Sequence, residues 1–229
     1  MWLRSIGVNS LAPVVEAAER LAVSLRTPSL LVTLHRDIND VAGLDGRRLQ
    51  GSRKQQALRW GIFTLTYSAT EAFFNDVLTP TQAGRRLIPL NPDKLRDAGQ
   101  RRGVDLFTNG WGVRTRTPGL LRGKRSRWRS YVGVTGVRLY LADMKSLRDL
   151  LSHGGDPYAA TNQSGALWVQ KKGNSMTLMG AEGFLQACSD LASQTVLAYG
   201  GDLGALPEWP EPHRSGLSAE PRPTLPLLP

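Results

Sequence analysis

Residues 52–79, SRKQQALRWGIFTLTYSATEAFFNDVLT, hold the longest helical pattern in the chain, and Pro80 closes it. At about 100° per residue two apolar stripes run along it. Leu58, Ile62, Leu65, Ala69, Ala72 and Phe73 form one; Trp60, Phe63, Tyr67, Phe74 and Leu78 form the other, on roughly the opposite side. A helix apolar on two sides is expected to be sandwiched, inside a bundle or between a bundle and a second chain. Glu71 falls between the stripes. Asp76 falls on the first, where a carboxylate needs a partner.

The rest of the chain supplies partners for such a helix. Residues 10–26 read as a helix with Leu11, Val14, Val15, Ala18, Leu21, Ala22 and Leu25 on one face, and residues 29–44 as a second, capped by Ser29. A short amphipathic helix is signalled over 91–102 by Asn91 as cap and Pro92 at the first helical position. Residues 103–136 are Gly-rich and read as irregular, and helix returns near Val137. GALWVQKKGNSMTLMG alternates on both sides of Lys172-Gly173-Asn174, which predicts a β-hairpin across 165–179. Residues 180–199 form a last helix. From Ala205 onward lie 7 of the 14 prolines, so 205–229 reads as an irregular tail. The class is therefore mainly α, and without βαβ alternation the doubly wound nucleotide folds are not expected.

Charge narrows the partners. The net charge is +10, and residues 1–130 carry 22 Lys/Arg against 10 Asp/Glu, while residues 131–229 carry 7 against 9. A positive field of this kind favours polyanions. Its densest part is RTRTPGLLRGKRSRWRSY, 114–131, where Arg114, Arg116, Arg122, Lys124, Arg125, Arg127 and Arg129 occur without an acid and beside Trp128 and Tyr131. Lysines and arginines there can neutralise phosphates and an aromatic can stack an unpaired base, so these residues and Trp128 are candidate RNA contacts. The same stretch also reads as a solvated loop with no ligand.

Several chemistries have no sequence support. There is no Walker-type or GxGxxG loop, no CxxC pair and no GxSxG elbow, and His35, His153 and His213 lack metal-ligand spacing. No metal and no organic cofactor are expected. The single cysteine, Cys188, fits a reducing compartment. Glu16, Glu19 and Arg20 interrupt the first apolar stretch, so neither a signal peptide nor a membrane span is expected, and a cytoplasmic location is.

One helix end stands out. With Val137 as origin, Tyr140, Leu141, Met144, Leu147 and Leu151 share a face, and Arg148 points into it at about 20°. An arginine on a buried face needs a partner or an interface, and Asp76 is one option. His153 lies about 140° away, in the final turn before Gly154-Gly155. Asp149 precedes it by one helical step and could orient its ring.

Arg148-Asp149-x-x-x-His153 resembles the R-x4-6-H motif of the HEPN superfamily, and residues 64–78 are similar to the long helix that pairs with the motif helix there. The resemblance covers about 52–200, within a single helical domain of 1–204 on which the helices of 10–44 would pack. The position two residues after the histidine is Gly155 rather than tyrosine, so the chain resembles the stand-alone bacterial defence and toxin members. The resemblance implies a HEPN-like bundle with a small hairpin insertion and a Pro-rich tail. It further implies a homodimer that cleaves RNA without metal, with an antitoxin or other defence-system protein as a candidate partner. His153 would be general acid or base, Arg148 would stabilise the phosphate, Asp149 would orient His153, and Glu71 would contribute from the long helix. A non-catalytic HEPN-like module binding RNA or protein is the alternative; a helical DNA-binding protein is a further one, with no helix-turn-helix to recommend it.

Overall fold

A computed structural model describes residues 11–37, 53–79, 87–118 and 127–212. Helices dominate: α1 (Leu11–Asp37), α2 (Arg53–Leu78), α3 (Pro92–Gln100), α4 (Gly133–Ser152) and α5 (Leu178–Ala198). Two antiparallel hairpins accompany them, β1 (Gly112–Thr117) with β2 (Arg127–Val132) and β3 (Trp168–Gln170) with β4 (Gly173–Ser175). Among the described residues, no helix is long and apolar enough to cross a membrane.

The centre of the fold is α5. From Leu178 to Val196 only Met179 and Gln186 are not buried, as expected of a helix enclosed on all sides. α1, α2 and β1 pack around it. Thr177 caps its start by accepting the Gly180 N–H (3.2 Å).

α1 is one helix where the sequence reads as two. Pro28 lies inside it, and Ser29 is a buried interior residue rather than a cap. An interior proline costs about 3 kcal/mol. Burial of Leu21, Leu25 and Val32 on both sides of it, at about 1.5–3 kcal/mol per side chain, offsets that cost and keeps the helix continuous. Residues 38–44 lie outside the described residues.

α2 buries one broad face rather than two opposed ones. Ile62, Phe63, Thr66, Tyr67, Thr70, Phe73, Phe74, Val77 and Leu78 are buried and span an arc of about 160°. Thr66 and Thr70 occupy the middle of that arc. Their hydroxyls donate to the Ile62 and Thr66 carbonyls (2.8 Å each), so they bury without an unpaired group. Leu65, at the edge of the first stripe, is 46% exposed, and Ala72 is exposed.

The stretch read as irregular carries the first hairpin. β1 is buried on both faces, so it shows no polar–apolar alternation. Its free edge is satisfied by α5 side chains at every fourth residue. Gln194 accepts the Gly112 N–H (2.8 Å) and donates to the Gly112 carbonyl (2.7 Å). Asp190 accepts the Arg114 N–H (2.7 Å).

The predicted helix at 91–102 forms over 92–100, with Asn91 accepting the Lys94 N–H (3.1 Å). The predicted second hairpin forms, but turns at Lys171-Lys172, earlier than its glycine suggests. Gly173 instead opens β4 at φ +121°, where a Cβ would lie 2.3 Å from the Tyr158 carbonyl oxygen. The start of the Pro-rich tail, through Pro212, is irregular beyond a short 3-10 turn at Leu203–Ala205, yet it packs on the body. Leu206 and Trp209 rest against the core, and Trp209 Nε1 donates to Ser193 Oγ (2.9 Å). His213 and the residues after it lie outside the described residues.

Candidate functional site

Val137, Tyr140, Leu141, Met144 and Leu147 of α4 are buried, as the periodicity requires. Arg148 extends this face to α2. Its Nη2 donates to Glu71 Oε1 (2.7 Å), its Nη1 lies 3.0 Å from Asp149 Oδ1, and its guanidinium carbon sits 4.9 Å from the Tyr67 ring centroid. The partner is thus Glu71 and not Asp76, which is half exposed and holds Arg20 of α1 instead (3.1 Å). Burial works against the Arg148 charge, but Glu71, Tyr67 and Asp149 together outweigh it and hold the guanidinium above its ordinary pKa. The Tyr67 phenol is raised, first by burial and then by Glu71.

Arg148 lies on the wall of a groove of about 530 Å³, with Ser68, Ala72, Asp76 and Pro89 among its lining. The opposite rim is tied to α2. Glu71 Oε1 accepts the Leu90 N–H (3.1 Å), and the Asn75 amide donates to the Ile88 carbonyl (2.9 Å) and accepts its N–H (2.8 Å). Glu71 therefore has two tasks, fixing Arg148 and closing the rim.

His153 caps α4. Its N–H donates to the Asp149 carbonyl (3.0 Å), Gly154 follows at φ +70°, and the Gly155 N–H reaches back to the Leu150 carbonyl (2.8 Å). This is the left-handed glycine termination that frees the last carbonyls from water. The His153 side chain is exposed and makes no hydrogen bond or ion pair among the described residues. Asp149 does not orient its ring: that carboxylate is bound by Lys145, one turn back, and by Arg148. The expectation fails because Lys145 stands at the same four-residue spacing and brings a full charge.

The basic stretch is not a solvated loop in its described parts. Arg114 pairs with Asp190 (2.6 Å) and Arg116 with Glu182 (3.2 Å), both acids being only 2% exposed. Trp128 is buried under the Arg116 guanidinium, whose carbon is 5.4 Å from its ring centroid, so this face is taken from a stacking base. Arg127 is half-buried; Arg129 is exposed over the Tyr131 ring (4.8 Å). Arg122, Lys124 and Arg125 lie outside the described residues.

Arg114 thus acts on the fold. Burial raises the Asp190 carboxyl, partly countered by Arg114. Arg114→Ala removes the partner of a buried acid and is expected to cost about 3 kcal/mol near neutrality, read as a lower melting temperature, whereas Arg129→Ala leaves melting unchanged. A carboxyl with a raised folded pKa favours the fold in its protonated form, and without Arg114 that pKa rises further, so the Arg114→Ala loss shrinks as pH falls towards it, beginning above the ordinary carboxylate range. Equal melting of the two variants at neutral pH contradicts this assignment.

Three features were not legible as site features. Asp143, buried in α4, organises the following loop by accepting from Thr161 Oγ1 (2.8 Å), the Gln163 N–H (3.0 Å) and Ser164 N–H and Oγ (2.7 and 2.6 Å). Just past His153, a 3-10 turn at Pro157–Ala159 presents Tyr158, whose hydroxyl is bound by Gln56 of α2. Lys172, in the β3–β4 turn, stands 6.0 Å from the Tyr158 ring centroid. Among the described residues no group of three His, Cys, Asp or Glu side chains is placed to hold a metal ion. No protein-family model, curated protein or solved structure matches the chain.

Proposed function

We propose that the chain is an endoribonuclease that cleaves RNA by transesterification without metal or cofactor. The carrying observation is the end of α4. Arg148 is held charged at a groove wall, and His153 is exposed one turn further on with a free ring. In this reading His153 takes the proton from a ribose 2′-OH as its oxygen attacks the adjacent phosphorus. The bond to the 5′-oxygen breaks, that oxygen receives a proton, and the ends left are a 2′,3′-cyclic phosphate and a 5′-OH. Arg148 neutralises the charge building on the phosphate. Glu71 positions Arg148. In keeping with the resemblance of its motif to HEPN proteins, the chain would serve as a cytoplasmic toxin or effector of bacterial defence, held in check by a partner protein.

Within one chain no hydrogen bond joins Arg148 and His153, and on an ideal helix they diverge by about 140°. The proposal therefore includes a homodimer in which Arg148 of one copy serves the same phosphate as His153 of the other. Light scattering is expected to give twice the chain mass at micromolar concentration. A fully active monomer contradicts the composite site.

One observation favours a second reading. Arg148 is already engaged by Glu71, Asp149 and the Tyr67 ring, as suits a purely structural residue in a non-catalytic RNA- or protein-binding module. Incubation with mixed RNA in EDTA, followed by analysis of the product ends, separates them. Cyclic phosphate ends support the nuclease; intact RNA supports the module.

A further inference from the structure

Among the described residues, cations without an acid partner lie beside the end of α4. Arg59 is half-buried on α2, one helical step from Gln56, and Gln56 binds the Tyr158 hydroxyl. Arg59 Nε donates to the Gln55 carbonyl of its own helix (3.2 Å), and no carboxylate pairs with the guanidinium among the described residues. This is unlike Arg114, Arg116, Arg138 and Arg148, each of which has one. Burial lowers the Arg59 pKa from its ordinary value, so the cation is held at a desolvation cost with no carboxylate opposite it among the described residues, while the Tyr158 side chain acts on it in the opposite sense.

Two further groups converge there. The β3–β4 turn approaches Tyr158 so closely that Gly173 has no room for a Cβ, and this places Lys172 over the Tyr158 ring. The nearest carboxylate in sequence, Asp156, is occupied: its Oδ1 accepts the Tyr158 N–H (3.0 Å). Tyr158 thus has an ammonium 6.0 Å from its ring centroid and its hydroxyl bound by Gln56, one helical step from the Arg59 guanidinium, the three groups coming from three separate elements.

We propose that Arg59, Tyr158 and Lys172 form a phosphate-binding subsite for a single-stranded RNA backbone, beside His153. A half-buried arginine with no carboxylate partner among the described residues, sharing the neighbourhood of Tyr158 with a lysine, calls for an anion, and arginine's planar fork suits a phosphate. Tyr158 is five residues from His153, so their Cα atoms are at most about 18 Å apart. The subsite therefore holds a phosphate within a few nucleotides of the one attacked. It also locates the grip on the strand, in place of Arg114 and Arg116, whose charges are spent inside the fold. The identity of the anion as RNA rests on the ribonuclease reading; the anion site does not.

The test uses the full chain carrying His153→Ala, so that RNA stays intact, and a fluorescent single-stranded RNA 12-mer read by anisotropy over a range of salt. Arg59→Gln and Lys172→Gln are each expected to weaken binding about 3- to 10-fold and to lower the slope of log affinity against log salt by about 0.7, the value for one phosphate contact on a single strand. Lys172 is exposed, so its variant keeps the test valid if Arg59→Gln melts early. Unchanged affinity and slope in both variants overturn the subsite, as does an equal loss in Arg138→Gln, a distant cation paired with Asp93. The two ideas separate cleanly. If the parent leaves RNA uncut but the variants still lose affinity for the 12-mer, the subsite stands and the nuclease falls. If His153→Ala abolishes cleavage while Arg59 and Lys172 variants bind as before, the reverse holds. No binding by the His153→Ala chain overturns the subsite.

Discussion

Alanine at His153 is expected to lower RNA cleavage in EDTA by about 100- to 10,000-fold, the range spanned by general acid–base groups. The fold is expected to survive, because the imidazole is exposed and unbonded while the cap is made by backbone groups and Gly154. Unchanged melting together with lost activity distinguishes chemistry from damage. Arg148→Ala is a less clean companion, since it leaves Glu71, 24% exposed, without its cation. Arg148→Lys restores the charge but not the planar fork, so it is expected to keep the melting temperature nearer the parent's and still lose most of the rate. If His153→Ala cleaves RNA as fast as the parent does, the catalytic assignment is lost and the binding-module reading takes its place.

A methyl group at Gly183 is expected to destabilise the fold strongly. A Cβ there would lie 2.1 Å from the Arg116 backbone nitrogen and 2.5 Å from Thr115 Oγ1. β1 must then move off α5, and both ion pairs that bridge them, Arg114–Asp190 and Arg116–Glu182, move with it. Overpacking a core typically costs up to about 3 kcal/mol, and here a backbone atom rather than a flexible side chain is in the way. Gly183→Ala is therefore expected to melt about 6–12 °C below the parent. Gly61 on α2 gives the contrast: no atom lies within 4 Å of its Cβ position, so Gly61→Ala removes only backbone freedom and is expected to raise the melting temperature slightly. Gly183→Ala melting with the parent would show that α5 and β1 do not make this approach.

The elements legible in the sequence were those with local signals. The Asn91-Pro92 cap, the apolar face of α4 and the Gly154 stop each rest on residues a few positions apart, and each appears as expected. Elements defined by distant partners were not legible. Two stripes on α2 looked opposed because threonines fill the arc between them, and a threonine counts as polar until its hydroxyl is seen bonded to its own helix. β1 showed no alternation because its arginines meet acids of α5 some seventy residues away.

The candidate site divides along the same line. The periodicity of α4 alone determined that Arg148 points into an apolar face and that His153 ends the helix, because helical angles depend only on spacing. The tertiary structure decided which carboxylate answers Arg148: Glu71 and Asp76 lie on the same helix, but about 140° apart around its axis, and only Glu71 faces α4. It also decided which cations are spent and which are free. A charge becomes structural when folding brings a buried acid to it, as with Arg114 and Arg116, and remains available when none of the described residues supplies one, as with Arg59.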